Sequence, residues 1–172
     1  AEDGIRDRSP SRGLGDVYKR QLYTPDSIRY FAEFNKSKHL GVAFAPHHLY
    51  KYEREIPQLI RDLGNHNIPF MYFQEHSDGI YKKVPKEIEM QQLPGYGGGL
   101  DYRLIVSALR DIQFFGLVEI FMHPVPRGIP ILPTISEITT AINKSRIYVK
   151  ECLEAVSYTH LRAHETDSYL VC

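Results

Sequence analysis

Between residues 22 and 155, stretches with apolar side chains at helical spacing alternate with short, continuous apolar runs. The helical spacing predicts four helices, at about 24–36, 53–63, 101–112 and 136–155. Continuous runs, typical of strands buried on both faces, occupy 39–45, 69–75 and 117–122. This alternation predicts an α/β fold with parallel strands joined by crossover helices.

Parallel strands of this kind form either an open doubly wound sheet or a closed (β/α)8 barrel. The open sheet usually carries a Gly-rich phosphate turn after a strand, and none of the three predicted strands is followed by one. Because a barrel unit takes roughly 31 residues, the middle segment predicts a partial (β/α)8 TIM barrel. Its unpaired strand edges predict self-association, and we expect the chain alone to be inactive.

Composition narrows the class of protein. Lys plus Arg and Asp plus Glu both number 21, so net charge gives no reason to expect a nucleic-acid partner. No apolar run approaches the ~20 residues of a membrane span. The two cysteines, Cys152 and Cys172, do not suggest a disulfide framework. We therefore expect a soluble, cytoplasmic protein.

The two ends of the chain differ from the middle. Residues 1–21 and 156–172 lack clean helical or strand periodicity and have little apolar surface to bury. Their strings SRGLGDVYKRQ and SYTHLRAHET resemble translated sequencing adaptors. We interpret both ends as non-native or disordered tails, and the segment 22–155 as the native part.

Histidines gather where the predicted strands end. His47 and His48 follow the first strand, Glu75 and His76 end the second, and His123 follows the third. Catalytic groups of a barrel lie at these carboxyl ends, and neutral imidazole serves as a metal ligand or a near-neutral acid or base. A single histidine of this kind is usually a structural residue, but three strand ends predict a site.

Two further residues have open interpretations. Glu119 lies in the middle of the third strand and is either a buried structural carboxylate or a deep member of the site. Arg127, in the Pro-rich loop after His123, either clamps a phosphate or carboxylate or forms a salt bridge that orders the loop.

The segment from Gln74 to Pro133 resembles the C-terminal part of the sugar phosphate isomerase/epimerase group, the xylose isomerase-like (β/α)8 barrels. The motifs that carry this resemblance are Gln74-Glu75-His76, Lys86-Glu87, Leu93-Pro94-Gly95-Tyr96-Gly97 before Leu100-Asp101-Tyr102, and Val118 to Pro124. On this resemblance, the segment 22–155 supplies the last three strands of such a barrel with their helices.

The resemblance implies isomerisation or epimerisation of a sugar or sugar phosphate, by proton transfer next to a carbonyl. It also implies a divalent metal (Mn, Mg, Zn or Co), with His76 and His123 as candidate ligands. In the family pattern Asp-x-x-His, Ala45 replaces the aspartate ligand and His48 keeps its place. Candidate catalytic residues are His48, Glu75 and Glu119, and candidate substrate-binding residues are His47 and Arg127.

Two alternatives remain open. The replacement at Ala45 suits a non-catalytic sugar-binding barrel or a purely structural one. A metal-dependent endonuclease of the same superfamily would need more zinc ligands and a basic groove, which the neutral charge balance disfavours.

Overall fold

A computed structural model describes residues 22–123, 125 and 131–167, with side chains as far as residue 156. Residues 1–21, which include the whole string SRGLGDVYKRQ, lie outside the described residues, as do Arg127 and Cys172. Cys152 is buried and forms no disulfide within the described residues.

Five helices and three strands form the described part. In chain order they are α1 (Pro25–Phe34), β1 (Ala43–Phe44), α2 (Ile56–Asn67), β2 (Phe70–Phe73), α3 (Lys86–Met90), α4 (Tyr102–Asp111), β3 (Leu117–Ile120) and α5 (Ile135–Asp167). Two 3-10 segments, Pro46–Glu55 and Asp78–Ile80, follow β1 and β2. No described helix is long and apolar enough to cross a membrane.

The three strands form one parallel sheet in the order β1-β2-β3. Phe70 of β2 pairs with Ala43 of β1 and with Leu117 of β3. The predicted α/β class and parallel sheet are therefore confirmed, whereas the barrel stays a prediction.

Local signals in the sequence explain where the helices begin. Thr24 and Ser27 form a capping box, in which the Thr24 side chain accepts from the Ser27 backbone N–H at 3.2 Å. The Asp101 carboxylate caps α4 by accepting from the Arg103 backbone at 2.9 Å. Gly64 interrupts α2 with a φ of +65°, one residue after the predicted end of the second helix.

Several elements differ from their predicted bounds. The first strand is only two residues long, because Ala45 is already the N-cap of the 3-10 segment that begins at Pro46. That segment displaces the start of α2 from residue 53 to Ile56. The segment between the second predicted strand and the third predicted helix contains α3, in which Glu89 is buried. α5 continues to Asp167, into the segment predicted as a tail.

The core lies on one face of the sheet. Phe44, Met71 and Phe73 pack there with buried side chains of α2, α4 and α5. Since side chains alternate along a strand, Tyr72 and its partner in the sheet, Glu119, share the opposite face. That face is open at β3, where Leu117 is 71% exposed.

Replacing Ile60 of α2 by Ala tests this core. The Ile60 side chain is fully buried, so Ile60→Ala is expected to lower the free energy of unfolding by about 2–5 kcal/mol. Urea denaturation measures the change. Ile147→Ala is the matched control, because Ile147 lies in α5 and is 58% exposed, and it should change stability by no more than about 0.5 kcal/mol. Equal losses in both variants would contradict the assigned core.

Candidate functional site

The carboxyl ends of the three strands meet at one edge of the sheet, as parallel pairing requires. The 3-10 segment after β1 brings His47 and His48 to this edge. Glu75 and His76 follow β2, and His123 follows β3. We call this edge the histidine rim, and define it as His47, His48, His76 and His123.

His47 lies at the centre of the histidine rim. Its ring centroid is 4.1 Å from that of His48 and 6.4 Å from that of His123. The residue is only 2% exposed, and neither ring nitrogen has a hydrogen-bond partner within the described part of the chain. A buried nitrogen without a partner costs about 1–3 kcal/mol, so this position suits a bound polar molecule.

Burial sets the protonation state of His47. Together with smaller contributions from the neighbouring His48, His123 and His76, it lowers the pKa of His47 to about 3. The His47 ring is therefore neutral at neutral pH, with one nitrogen as donor and the other as acceptor.

His76 is held by an aromatic stack. Its ring lies parallel to that of Tyr50, with centroids 3.6 Å apart and planes inclined by 7°. Burial lowers the pKa of His76, while Asp78 and a hydrogen bond to the His47 backbone oppose that shift. Asp78 itself is exposed and pairs with Lys82 at 2.7 Å, so it belongs to the surface and contributes to the rim only as a nearby charge.

The Glu75 carboxylate is enclosed by the glycine turn at 94–99. Its Oε1 accepts from the Gly95 N–H at 2.9 Å, and backbone groups of Gly98, Gly99 and Leu100 also bond the carboxylate. A Cβ on Gly98 would collide with Glu75, lying 2.8 Å from Oε2. Because Glu75 is only 2% exposed, its carboxylate orders this turn instead of facing the rim.

The remaining predicted residues lie elsewhere. Glu119 is exposed on the sheet edge strand β3, which excludes the predicted buried structural carboxylate and leaves its role in a site a prediction. Arg127 lies outside the described residues. Of the predicted site residues, the structure therefore brings together His47, His48, His76 and His123, with Glu75 behind them.

Sequence reasoning missed three residues that support the rim. Tyr50 stacks on His76, and the buried amides of Gln74 and Gln92 bond each other at 2.9 Å. The sequence shows two adjacent glutamines, at 91 and 92, before an apolar turn. Nothing in the pattern of apolar positions indicates that one of them is buried.

A divalent metal does not fit the described residues by themselves. No group of three or more His, Cys, Asp or Glu side chains among them is arranged to hold a metal ion. The Glu75 carboxylate is occupied by backbone donors, and Ala45 offers no ligand. A metal bound by His76 or His123 would need ligands from outside the described part of the chain.

Comparison with known proteins adds no family. No protein-family model matches the chain, and no curated protein is significantly similar to it. Function must therefore be argued from the geometry of the histidine rim.

Glu75→Gln tests the enclosed carboxylate through pH. Burial raises the pKa of Glu75 above 4.5, so the stability it contributes is complete below that pH and is lost as pH rises through the raised pKa. Glutamine does not ionise. The free energy of unfolding of the unchanged chain should therefore fall, relative to that of the variant, as pH rises from 4.5 towards 7.

Denaturation at a series of pH values measures this difference. The exposed Glu87→Gln on α3 is the control, and its difference from the unchanged chain should stay flat. A Glu75→Gln difference that is flat, or of opposite slope, would contradict the raised pKa.

Proposed function

We propose that the histidine rim is part of the active site of a sugar or sugar phosphate isomerase or epimerase, which moves a proton at a carbon next to a carbonyl. The observation that carries the proposal is the buried His47, whose two ring nitrogens both lack a partner among the residues that the structure describes. A sugar presents hydroxyl and carbonyl oxygens, which complement a ring with one donor and one acceptor.

Each rim histidine would have a distinct role. His47, neutral because its pKa is about 3, would bind the substrate without changing its own charge. His48 is exposed beside it and would carry the proton, as histidine does most often in general acid–base catalysis. His123 and the stacked His76 would complete the wall of the site.

The second candidate is sugar binding without turnover. The enclosed Glu75 carboxylate favours it, because a base that is bonded to backbone N–H groups cannot reach a substrate carbon. Glu119, the other candidate catalytic carboxylate, would then have to act as the base if the site is catalytic. Calorimetric sugar binding without proton exchange would favour this second candidate.

Self-association is also proposed, from a groove beside β3 on the face of the sheet that carries the core. A groove of about 880 Å³ lies between β3, α4 and α5, with Val118, Ile120 and Leu153 in its walls. Such a surface, next to an unpaired strand edge, favours contact with another chain.

The first functional prediction concerns His48. In the longer barrel that the resemblance implies, His48→Gln is expected to slow deuterium exchange from solvent into the substrate by about 10²–10⁴-fold. NMR of the sugar measures the exchange. The exposed His39→Gln, on the chain before β1, is the control and should exchange at the unchanged rate.

Two results would decide against the catalytic role. One is equal exchange in the His48→Gln and His39→Gln variants, and the other is binding of the sugar with no exchange in the unchanged protein. The 172-residue chain, tested in parallel, is expected to give no exchange.

The second functional prediction concerns the metal. If the barrel binds a divalent cation through His76, His76→Ala should lower the metal content of the purified protein by tenfold or more, roughly the loss seen when a ligand sphere is disturbed. Elemental analysis measures metal per chain, with His39→Ala as the control. Full metal content in the His76→Ala variant would remove His76 from the ligand set.

A further inference from the structure

A buried side-chain amide continues the sheet where backbone pairing between β2 and β3 stops. The paired register ends at Phe73 and Ile120. One more backbone bond follows, from the Phe121 N–H to the Phe73 carbonyl at 3.3 Å. Beyond it, the backbone groups of His123 bond the side chain of Gln92 instead of a strand.

Gln92 holds His123 through two hydrogen bonds. Its Oε1 accepts from the His123 backbone N–H at 2.7 Å, and its Nε2 donates to the His123 carbonyl at 2.8 Å. A side-chain amide placed this way offers the acceptor and donor that a neighbouring peptide group would offer.

The backbone of His123 also fixes the orientation of the amide. An N–H group only donates and a carbonyl only accepts, so the reversed amide would face donor with donor and acceptor with acceptor. Gln74 supports this orientation, because its Nε2 donates to the same Oε1 at 2.9 Å. Both glutamines are fully buried, so water does not compete for these bonds.

Gln92 binds the end of β2 as well. Its backbone carbonyl accepts from the Glu75 N–H at 2.7 Å. One residue of the loop between β2 and α4 is therefore bonded to the chain directly after both strands. Moving Gln92 would change where His123 lies relative to His47, whose ring centroid is 6.4 Å from the His123 ring.

We propose that Gln92 is the positioning residue of the histidine rim, and that its side-chain amide sets the place of His123 beside His47. The role of His123 in a reaction rests on the proposed function, but its placement by Gln92 does not. Gln92 acts only through the His123 backbone and is not itself a catalytic residue.

The test measures His123 directly in the full chain, labelled with ¹⁵N and ¹³C in histidine only. Gln92→Met keeps the length of the side chain and removes both hydrogen bonds. Exchange of the His123 amide with deuterium should speed up by about tenfold or more, the effect of losing a buried hydrogen bond. The ring signals of His123 and His47 should shift, and those of the distant His66 should not.

Gln91→Met is the matched control. Gln91 is the neighbouring residue, is only partly buried, and makes no side-chain hydrogen bond within the described part of the chain. Its variant should leave the exchange of the His123 amide and the ring signals unchanged.

Gln92→Glu keeps the proposal testable if the methionine variant does not fold. A protonated carboxyl has the same acceptor and donor as the amide, whereas a carboxylate would face the His123 carbonyl with a second acceptor. Protection of the His123 amide should therefore be retained at low pH and lost as the introduced carboxyl ionises. Gln91→Glu, followed over the same pH range, controls for general effects of pH and of added charge.

Unchanged exchange of the His123 amide in Gln92→Met would overturn the proposal. So would equal acceleration across Leu117–Ile120, measured by hydrogen exchange with mass spectrometry, since that would mean general loosening of β3. Protection of the His123 amide that does not change with pH in Gln92→Glu would overturn the proposal as well. None of these measurements uses a substrate, so a failure of the proposed reaction leaves them unaffected, and the two failures are distinguishable.

Discussion

Parallel pairing of β2 with both of its neighbours is the constraint on which the rest of the structure depends. It fixes the direction of all three strands, so that the residues following Phe44, Phe73 and Ile120 emerge at one edge. Three chain segments far apart in sequence thereby bring four histidines together. The crossover helices α2 and α4 follow from the same constraint, since parallel strands cannot be joined by tight turns.

The polar groups buried behind that edge need hydrogen-bond partners. The long segment between β2 and α4 provides them. The Glu75 carboxylate receives backbone donors from the glycine turn, and the Gln92 amide receives the backbone of His123. Each buried polar group left without such bonds would cost about 1–3 kcal/mol. The segment therefore acts as the support of the rim, which explains why it is much longer than an ordinary connection.

Hydrophobic periodicity was sufficient to predict the α/β class, the parallel sheet and the edge where the histidines meet. It was insufficient for the 3-10 segment Pro46–Glu55, because the apolar residues there follow no regular period. Hydrophobic periodicity also does not predict that Glu75 and Gln92 are buried. The Glu75 carboxylate and the Gln92 amide are bonded to partners 17 to 31 residues away in the chain. Contacts over such distances cannot be read from a single sequence.

The rim histidines differ in the groups that surround them. His123 and His76 are fixed by the Gln92 amide and the Tyr50 ring, so their positions depend on supports that are already in place. His47 is also buried, yet neither of its ring nitrogens has a partner in the described part of the chain. Nearby, the Gln92 amide and the Glu75 carboxylate have hydrogen-bond partners, whereas Gln74 Oε1 and His76 Nδ1 have none within the described residues. Under the proposed function, the two ring nitrogens of His47 would bond the oxygens of the substrate, and the exposed His48 beside it would carry the proton.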